Sequence, residues 1–101
     1  MKLLEVIKSL SNQTRLDILT WLKDPFAYFP AEELADYSPS LGVCVSDIAK
    51  KAKMSIPTVS VYLKNMAVAE LLVATRKDKW TYYKRNEEAI QQLAQLIKNN
   101  L

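Results

Sequence analysis

Apolar residues recur every three or four positions in several stretches of this chain, as they do on one face of an amphipathic helix. In the first stretch they are Leu3, Leu4, Ile7 and Leu10. In the second stretch, residues 13–23, the inner stripe is Leu16, Leu19 and Leu22, with Ile18 beside them. Ser11 and Asn12 precede this stretch as caps. The pattern predicts two helices, and the second ends at Asp24-Pro25 because the residue before a proline disfavours helical geometry.

Two further helices are predicted in the middle of the chain, separated only by residues 53–55. We expect Ser46 to cap the first of them and Asp47 to lie in its positive first turn. Ser55 is expected to cap the second, with Pro57 in the first turn and a core stripe of Val59, Leu63 and Met66. Two helices joined by so short a turn form a helix-turn-helix.

A β-hairpin and a last helix are predicted after the helix-turn-helix. The runs 72–76 and 80–84 are rich in Val, Thr, Trp and Tyr, with Lys77-Asp78-Lys79 as the tip. Asn86 is expected to cap a helix over 87–100. With a short extended segment at 42–45, the sequence predicts one domain over residues 1–101, mainly α with a small β-hairpin, in winged helix-turn-helix order.

Residues 24–42 form a long connection that contains three prolines and four aromatics. We expect a short helix from Pro30, since proline suits a first helical position. The aromatics Phe26, Tyr28, Phe29 and Tyr37 either line a small-molecule pocket or pack against the rest of the protein, and packing is the commoner use.

The amino-acid composition excludes several classes of function. The 101 residues include no histidine, one glycine and one cysteine. Glycine-rich phosphate loops are therefore excluded, and neither a catalytic group, a cofactor nor a metal site is indicated. No apolar run approaches the ~20 residues that cross a membrane, so we expect a cytoplasmic protein. Residues 46–86 hold nine Lys/Arg against three Asp/Glu, a balance typical of polyanion binding.

The predicted second helix of the helix-turn-helix has an outward face suited to double-stranded DNA. Hydroxyls and amides there can meet base edges, Val61 can touch a thymine methyl group, and Lys64 can meet phosphate. The hairpin tip adds positive charge for the neighbouring backbone or minor groove. The expected DNA-binding residues are Ser55, Thr58, Ser60, Val61, Lys64, Arg76, Lys77 and Lys79.

Three segments resemble the ArsR (arsenical-resistance repressor) family. They are "LSNQTRLDILTWL", "CVSDIAKKAKMS" and "PTVSVYLKNM…ELLVATRKDKWTYYKR". The resemblance implies a homodimeric transcription repressor that binds a palindromic operator and leaves it when it senses a signal. The sequence departs from the family pattern at three positions. Ser46 stands in place of a second metal-binding cysteine, and Glu70 and Asp78 stand in place of glycines. Because Val61 and Tyr62 also differ, operator preference does not carry over.

The first and last helices are expected to form the dimer interface, as the resemblance implies. A helix-turn-helix core has limited room to cover both apolar stripes, so pairing would bury them and set two recognition helices one DNA turn apart. The alternative is that both helices complete the core of a monomer. The expected interface residues are Leu3, Ile7, Ile90, Leu93 and Ile97.

Cys44 has three interpretations: a buried structural residue, a reactive thiol before a helix N-terminus, or a metal ligand. We favour the first, and the third lacks partner ligands. A thiol-based or small-molecule inducer is thus favoured over a metal.

For the whole chain, the alternative to an operator-binding regulator is a winged-helix module that binds protein or RNA, and an enzyme that uses carboxylates and lysine ranks last.

Overall fold

The computed structural model describes all residues, 1–101. The helices are α1 (Leu3–Leu10), α2 (Gln13–Lys23), α3 (Pro25–Tyr28), α4 (Val45–Ala52), α5 (Ile56–Val68) and α6 (Glu87–Asn100). A 3₁₀ turn covers Ala31–Leu34, and the strands are β1 (Val43–Cys44), β2 (Leu72–Lys77) and β3 (Trp80–Arg85). None of the helices combines the length and the apolar character that crossing a bilayer demands.

Of the five residues predicted as N-caps, Asn12, Ser55 and Asn86 do cap a helix, whereas Ser11 instead ends α1. Asn12 accepts a hydrogen bond from the Arg15 amide, and Asn86 accepts one from the Ala89 amide at 3.2 Å. The prediction for Ser46 is wrong, because α4 already begins at Val45 with Cys44 in the capping position. Pairing of Cys44 with β3 ends the extended segment one residue earlier than the sequence suggests.

The connection between α2 and β1 contains more structure than its composition predicts. Pro25 opens the one-turn helix α3, whereas Pro30 lies before the 3₁₀ turn rather than inside a helix. Phe29 is buried in the main core, so for this aromatic the packing interpretation is correct. Phe26 is exposed and meets Tyr37 edge to face, with ring centres 5.4 Å apart.

The three strands form an antiparallel sheet in the order β1-β3-β2. Lys77 pairs with Trp80, so the hairpin turn is shorter than predicted and consists of Asp78 and Lys79 alone. Gly42 precedes β1 with a φ of +94°, and a Cβ there would collide with the carbonyl group of Tyr83. The only glycine in the chain therefore allows β1 to approach β3.

Two apolar clusters hold these elements together. The larger joins α2, α4, α5 and the sheet, and Ile18, Ile48 and Leu63 are completely buried in it. In the predicted stripe of α2 the inward position of Leu16 is wrong, since this side chain is 44% exposed, whereas Ile18 beside it is completely buried. The smaller cluster consists of Val6, Leu71 and Leu93. It joins α1 and α6 to the start of the wing, which is the hairpin formed by β2 and β3.

Candidate nucleic-acid interface

The turn between α4 and α5 holds the two helices of the motif at a fixed geometry. Lys53 adopts a left-handed conformation with φ 56°, and its amide donates to the Lys50 carbonyl. The next amide, that of Met54, donates to the carbonyl of Ala49 at 3.1 Å. This pair of hydrogen bonds is a Schellman motif, which usually has glycine at the left-handed position.

The helix α5 also ends in a Schellman motif. The Glu70 amide donates to Ala67 and the Leu71 amide donates to Met66, each at 3.0 Å. Glu70 has a φ of 68° and Asp78 in the wing has one of 57°. Both residues stand where the ArsR resemblance suggests glycine, and both retain the backbone conformation that glycine adopts most easily.

The predicted division of α5 into an inner and an outer face is confirmed for its core stripe. Val59, Leu63 and Met66 are completely buried. Thr58, Val61, Lys64 and Asn65 are exposed, and Ser60 is half-buried at the edge of the same surface. The surface that α5 presents to solvent thus combines hydroxyls, an amide, one ammonium group and the 55% exposed Val61.

Two hydroxyls organise the N-terminus of α5. The Ser55 Oγ accepts a hydrogen bond from the Thr58 amide at 3.3 Å and lies 2.9 Å from Thr58 Oγ1. Both residues are exposed. The hydroxyls therefore lie at the positive end of the helix dipole, which attracts phosphate groups.

The wing places its cations at an exposed end of the hairpin. Arg76 and Lys77 are adjacent in β2 and so point to opposite faces of the hairpin, while Lys79 lies in the turn. All three are exposed, and the Arg76 Nε donates only to the carbonyl of Asp78, at 3.4 Å. The ammonium groups of Lys77 and Lys79 form no ion pair.

Some of the positive charge counted along residues 46–86 is directed away from this surface. Lys50 forms an ion pair with Glu33 at 3.0 Å. Arg85 is largely buried, binds both oxygens of Glu87 and donates to the Leu19 carbonyl. The cationic surface of α5 and the wing is consequently smaller than the sequence count suggests.

Comparison with known proteins places this arrangement in a family. No protein-family model matches the sequence. Over all 101 residues the chain is 48% identical to the uncharacterized HTH-type transcriptional regulator YbzH of Bacillus subtilis (strain 168), and the alignment covers 100% of both proteins. The chain belongs to the family of HTH-type transcriptional regulators.

Solved structures agree with the fold. The homodimeric winged helix-turn-helix DNA-binding domain of Mb0332 from Mycobacterium bovis, a possible ArsR-family regulator, is 24% identical with a TM-score of 0.63. That comparison covers 94% of this chain and 76% of the other. NolR of Sinorhizobium fredii is 18% identical, with a TM-score of 0.58. The match covers 95% of this chain and 81% of the NolR chain. These structures confirm the winged helix-turn-helix fold that the ArsR resemblance predicts.

The terminal helices of this HTH-type regulator pack against each other within one protomer, which covers part of both apolar stripes. Leu93 is only 7% exposed and packs in the smaller cluster of the same protomer. Leu3 and Ile90 are half-buried against the same cluster. Ile7 and Ile97 remain exposed on the outer surface.

Cys44 is a free, buried residue of β1 whose Sγ lies 3.2 Å from the Ser46 Oγ. No three His, Cys, Asp or Glu side chains in the structure are grouped closely enough to hold a metal ion. Cys44 does line a cleft between β1 and the wing, together with Tyr37. Of the four aromatics in the connection, Tyr37 is the one that reaches this cleft.

One contact between α2 and the side of α5 was not predicted from the sequence. The Arg15 guanidinium lies over the ring of Tyr62, 4.8 Å from its centre. Arg15 belongs to α2 and Tyr62 to α5, so the two residues are 47 positions apart. An arginine beside the apolar stripe of a helix was the only available signal, and it does not identify a partner.

Proposed function

We propose that the chain is a homodimeric transcriptional repressor that binds a palindromic DNA operator through α5 and the wing. The observation that carries the proposal is the outward face of α5, in which a core-anchored helix presents Thr58, Val61 and Lys64 to solvent. The wing follows directly with the exposed cations Lys77 and Lys79. A recognition helix reads base edges in the major groove, and a cationic hairpin binds the adjacent phosphates or minor groove.

Dimer formation is supported by the apolar side chains that α1 and α6 leave uncovered. Leu4, Ile7 and Ile97 are exposed although both helices are otherwise packed. The Mb0332 domain, which has the same fold, is homodimeric. We propose that residues 1–101 form one functional unit and that two copies pair through these helices, which would present two α5 helices to successive turns of the duplex.

We further propose that a signal releases the protein from its operator. Repression, rather than activation, follows the ArsR resemblance. A small molecule or oxidation of Cys44 is favoured over a metal because metal-ligating side chains do not converge. In this proposal the protein acts by binding, without catalysing a reaction, and works in the cytoplasm, where its DNA lies.

The test has two steps. Fragments that the protein binds are first selected from a library of random duplex DNA, and binding to them is then measured over a range of salt concentrations. For each phosphate contact, the slope of log affinity against log salt changes by about 0.9. Lys79→Ala should therefore reduce the slope by about 1.8 for the two wings of a dimer. Lys98→Ala removes an exposed lysine from α6 and serves as the matched control, with no change expected.

Sequence preference is tested separately from phosphate contact. Ser60→Ala and Val61→Ala should alter which fragments are selected, whereas Lys64→Ala should weaken binding to every duplex. If the protein binds no duplex at low salt, the operator proposal is wrong and the alternative of a protein- or RNA-binding module is favoured.

A further inference from the structure

A cleft of about 360 Å³ lies between the 3₁₀ turn, β1, the first turn of α4 and the half of β3 nearest the hairpin turn. Its size falls within the range of roughly 300–1,000 Å³ in which proteins bind small molecules. The walls include Trp80, at the start of β3, and Asp47, in the first turn of α4. The cleft thus joins the helix-turn-helix to the wing, the two parts that the proposed function assigns to DNA.

The cleft is negatively charged. Four carboxylates line it, and no lysine or arginine does; they belong to Glu32, Glu33, Asp36 and Asp47. Only Glu33 forms an ion pair, with Lys50 at 3.0 Å, and the same lysine acts on Asp47 from a greater distance. In a chain with a net charge of +3, this cleft gathers charge of the opposite sign and would attract a cation.

A hydroxyl without a protein partner opens into the same cleft. Tyr82 is 7% exposed and lines the cleft, yet its hydroxyl forms no hydrogen bond with any protein group. The carboxylates of Asp36 and Asp47 are near enough to act on its charge, since burial first and then these and other negative groups raise the pKa of Tyr82. Because the rest of the side chain is buried and no protein group occupies the hydroxyl, this hydroxyl is free to bind a ligand in the cleft.

The aromatic walls favour an organic cation over a metal ion. Trp80 is 46% exposed, and Tyr37, which follows the 3₁₀ turn, is half-buried. Aromatic faces attract ammonium groups through their negative π surface. The carboxylates are spread around the cleft and do not form a cluster that could hold a metal ion.

We propose that this cleft binds a small organic cation, an amine or quaternary ammonium group on an apolar body, and that this ligand is the effector of the regulator. The carboxylates neutralise the cation, the aromatic walls contact its body, and the Tyr82 hydroxyl accepts a hydrogen bond from a ligand that is an amine. The effector role rests on the proposed function, whereas binding to the cleft does not. Since the ligand would contact both Asp47 and Trp80, it would change how α4 and the wing are held relative to each other.

Binding is tested without DNA, by following backbone amide resonances of the full chain during titration with benzyltrimethylammonium. We expect saturable shifts at cleft residues such as Gly42 and Asp47. Benzyl alcohol and benzoate, which have the same ring but no positive charge, should cause none. If benzyltrimethylammonium shifts no cleft resonance at millimolar concentration, or if all three compounds bind alike, the site proposal is overturned.

Variants locate the charge that matters. Asp36→Asn should weaken binding of benzyltrimethylammonium about fivefold, because it removes one carboxylate from a partly screened site. Asp24→Asn makes the same change at an exposed carboxylate outside the cleft and should leave affinity unchanged. Equal affinities of the Asp36 variant and the unmodified protein would overturn the site.

The effector role is tested by repeating the DNA titration at constant ionic strength with and without benzyltrimethylammonium. A change of at least threefold in DNA affinity that disappears in Asp36→Asn supports it. Binding in the cleft with unchanged DNA affinity overturns the effector role and leaves the site. Binding in the cleft of a protein that binds no DNA overturns the proposed function instead.

Discussion

The guanidinium of Arg15 stacks on the ring of Tyr62, with 4.8 Å between the guanidinium carbon and the ring centre. Its Nη1 donates to the Ser9 carbonyl at 3.4 Å, but its Nε is buried without a hydrogen-bond partner. The contact with the Tyr62 ring therefore offsets much of the cost of burying the positive charge of Arg15. Through this contact α2 supports the recognition helix at the middle of its length.

Replacing Tyr62 tests that support. Tyr62→Leu should lower the free energy of unfolding by about 1 kcal/mol, because it removes the cation–π contact from a half-buried arginine. Tyr62→Phe keeps the ring and should change stability little. Urea denaturation measures both, and a double-mutant cycle with Arg15→Met isolates the coupling. A coupling of zero would show that the stacking contributes nothing to stability.

The left-handed residues that end α4 and α5 are predicted sites of backbone strain. Glu70→Gly should raise the free energy of unfolding by about 0.5 kcal/mol, since the relief of roughly 1–2 kcal/mol exceeds the entropy that glycine adds to the unfolded chain. Lys53→Gly should act in the same direction. Glu70→Ala is the control, because alanine retains the strain. Thermal or urea unfolding that ranks Ala above Gly would contradict this account.

The order of elements and the face of α5 could be predicted from sequence because both depend on local signals. Helical spacing placed Val59, Leu63 and Met66 in the core, and the Ser55–Pro57 pair marked the start of the helix. Glu70 and Asp78, which stand where the ArsR resemblance suggests glycine, have positive φ. These signals act over a few residues and do not depend on the rest of the fold.

Features that depend on contacts between distant segments could not be predicted. Leu93 has the same spacing as Ile97, and only the packing of α6 against Val6 and Leu71 distinguishes the buried residue from the exposed one. The cleft is similarly made by segments separated by tens of residues. Ser46 was mistaken for a cap because pairing between β1 and β3, a long-range contact, sets the start of α4.

The proposed dimer is best tested at Ile97 rather than at Leu93. Ile97 is 39% exposed in the protomer, so Ile97→Asp should leave the circular dichroism spectrum unchanged while shifting the protein to a monomer. Leu93→Asp would instead bury a carboxylate in the smaller cluster and cost about 3 kcal/mol or more of stability.

Light scattering after gel filtration gives the molar mass of each variant. Gln95→Asp introduces the same charge at an exposed position elsewhere around α6 and is the matched control. A dimer that persists in Ile97→Asp would show that the partner does not cover this part of α6, and the proposed pairing through the terminal helices would need another surface.

The carboxyl group of Asp47 is predicted to titrate above its usual range. Burial raises its pKa first, the charge of Glu33 raises it further, and Lys50 lowers it. Because the folded-state pKa exceeds that of the unfolded chain, ionisation of Asp47 opposes folding. Its contribution to the free energy of unfolding therefore falls as pH rises from the unfolded to the folded pKa, and the loss persists at neutral pH.

Neighbouring substitutions should move the Asp47 pKa in opposite directions. Glu33→Gln should lower it, since a negative neighbour disappears and Lys50 loses its competing partner. Lys50→Met should raise it, because the one cation that acts on this carboxyl is removed. Glu32→Gln removes a charge from the same cleft and is the control with the smaller expected effect. Carbon-detected NMR titration of the Asp47 side chain measures all three, and a pKa that Glu33→Gln leaves unchanged would mean that burial alone sets it.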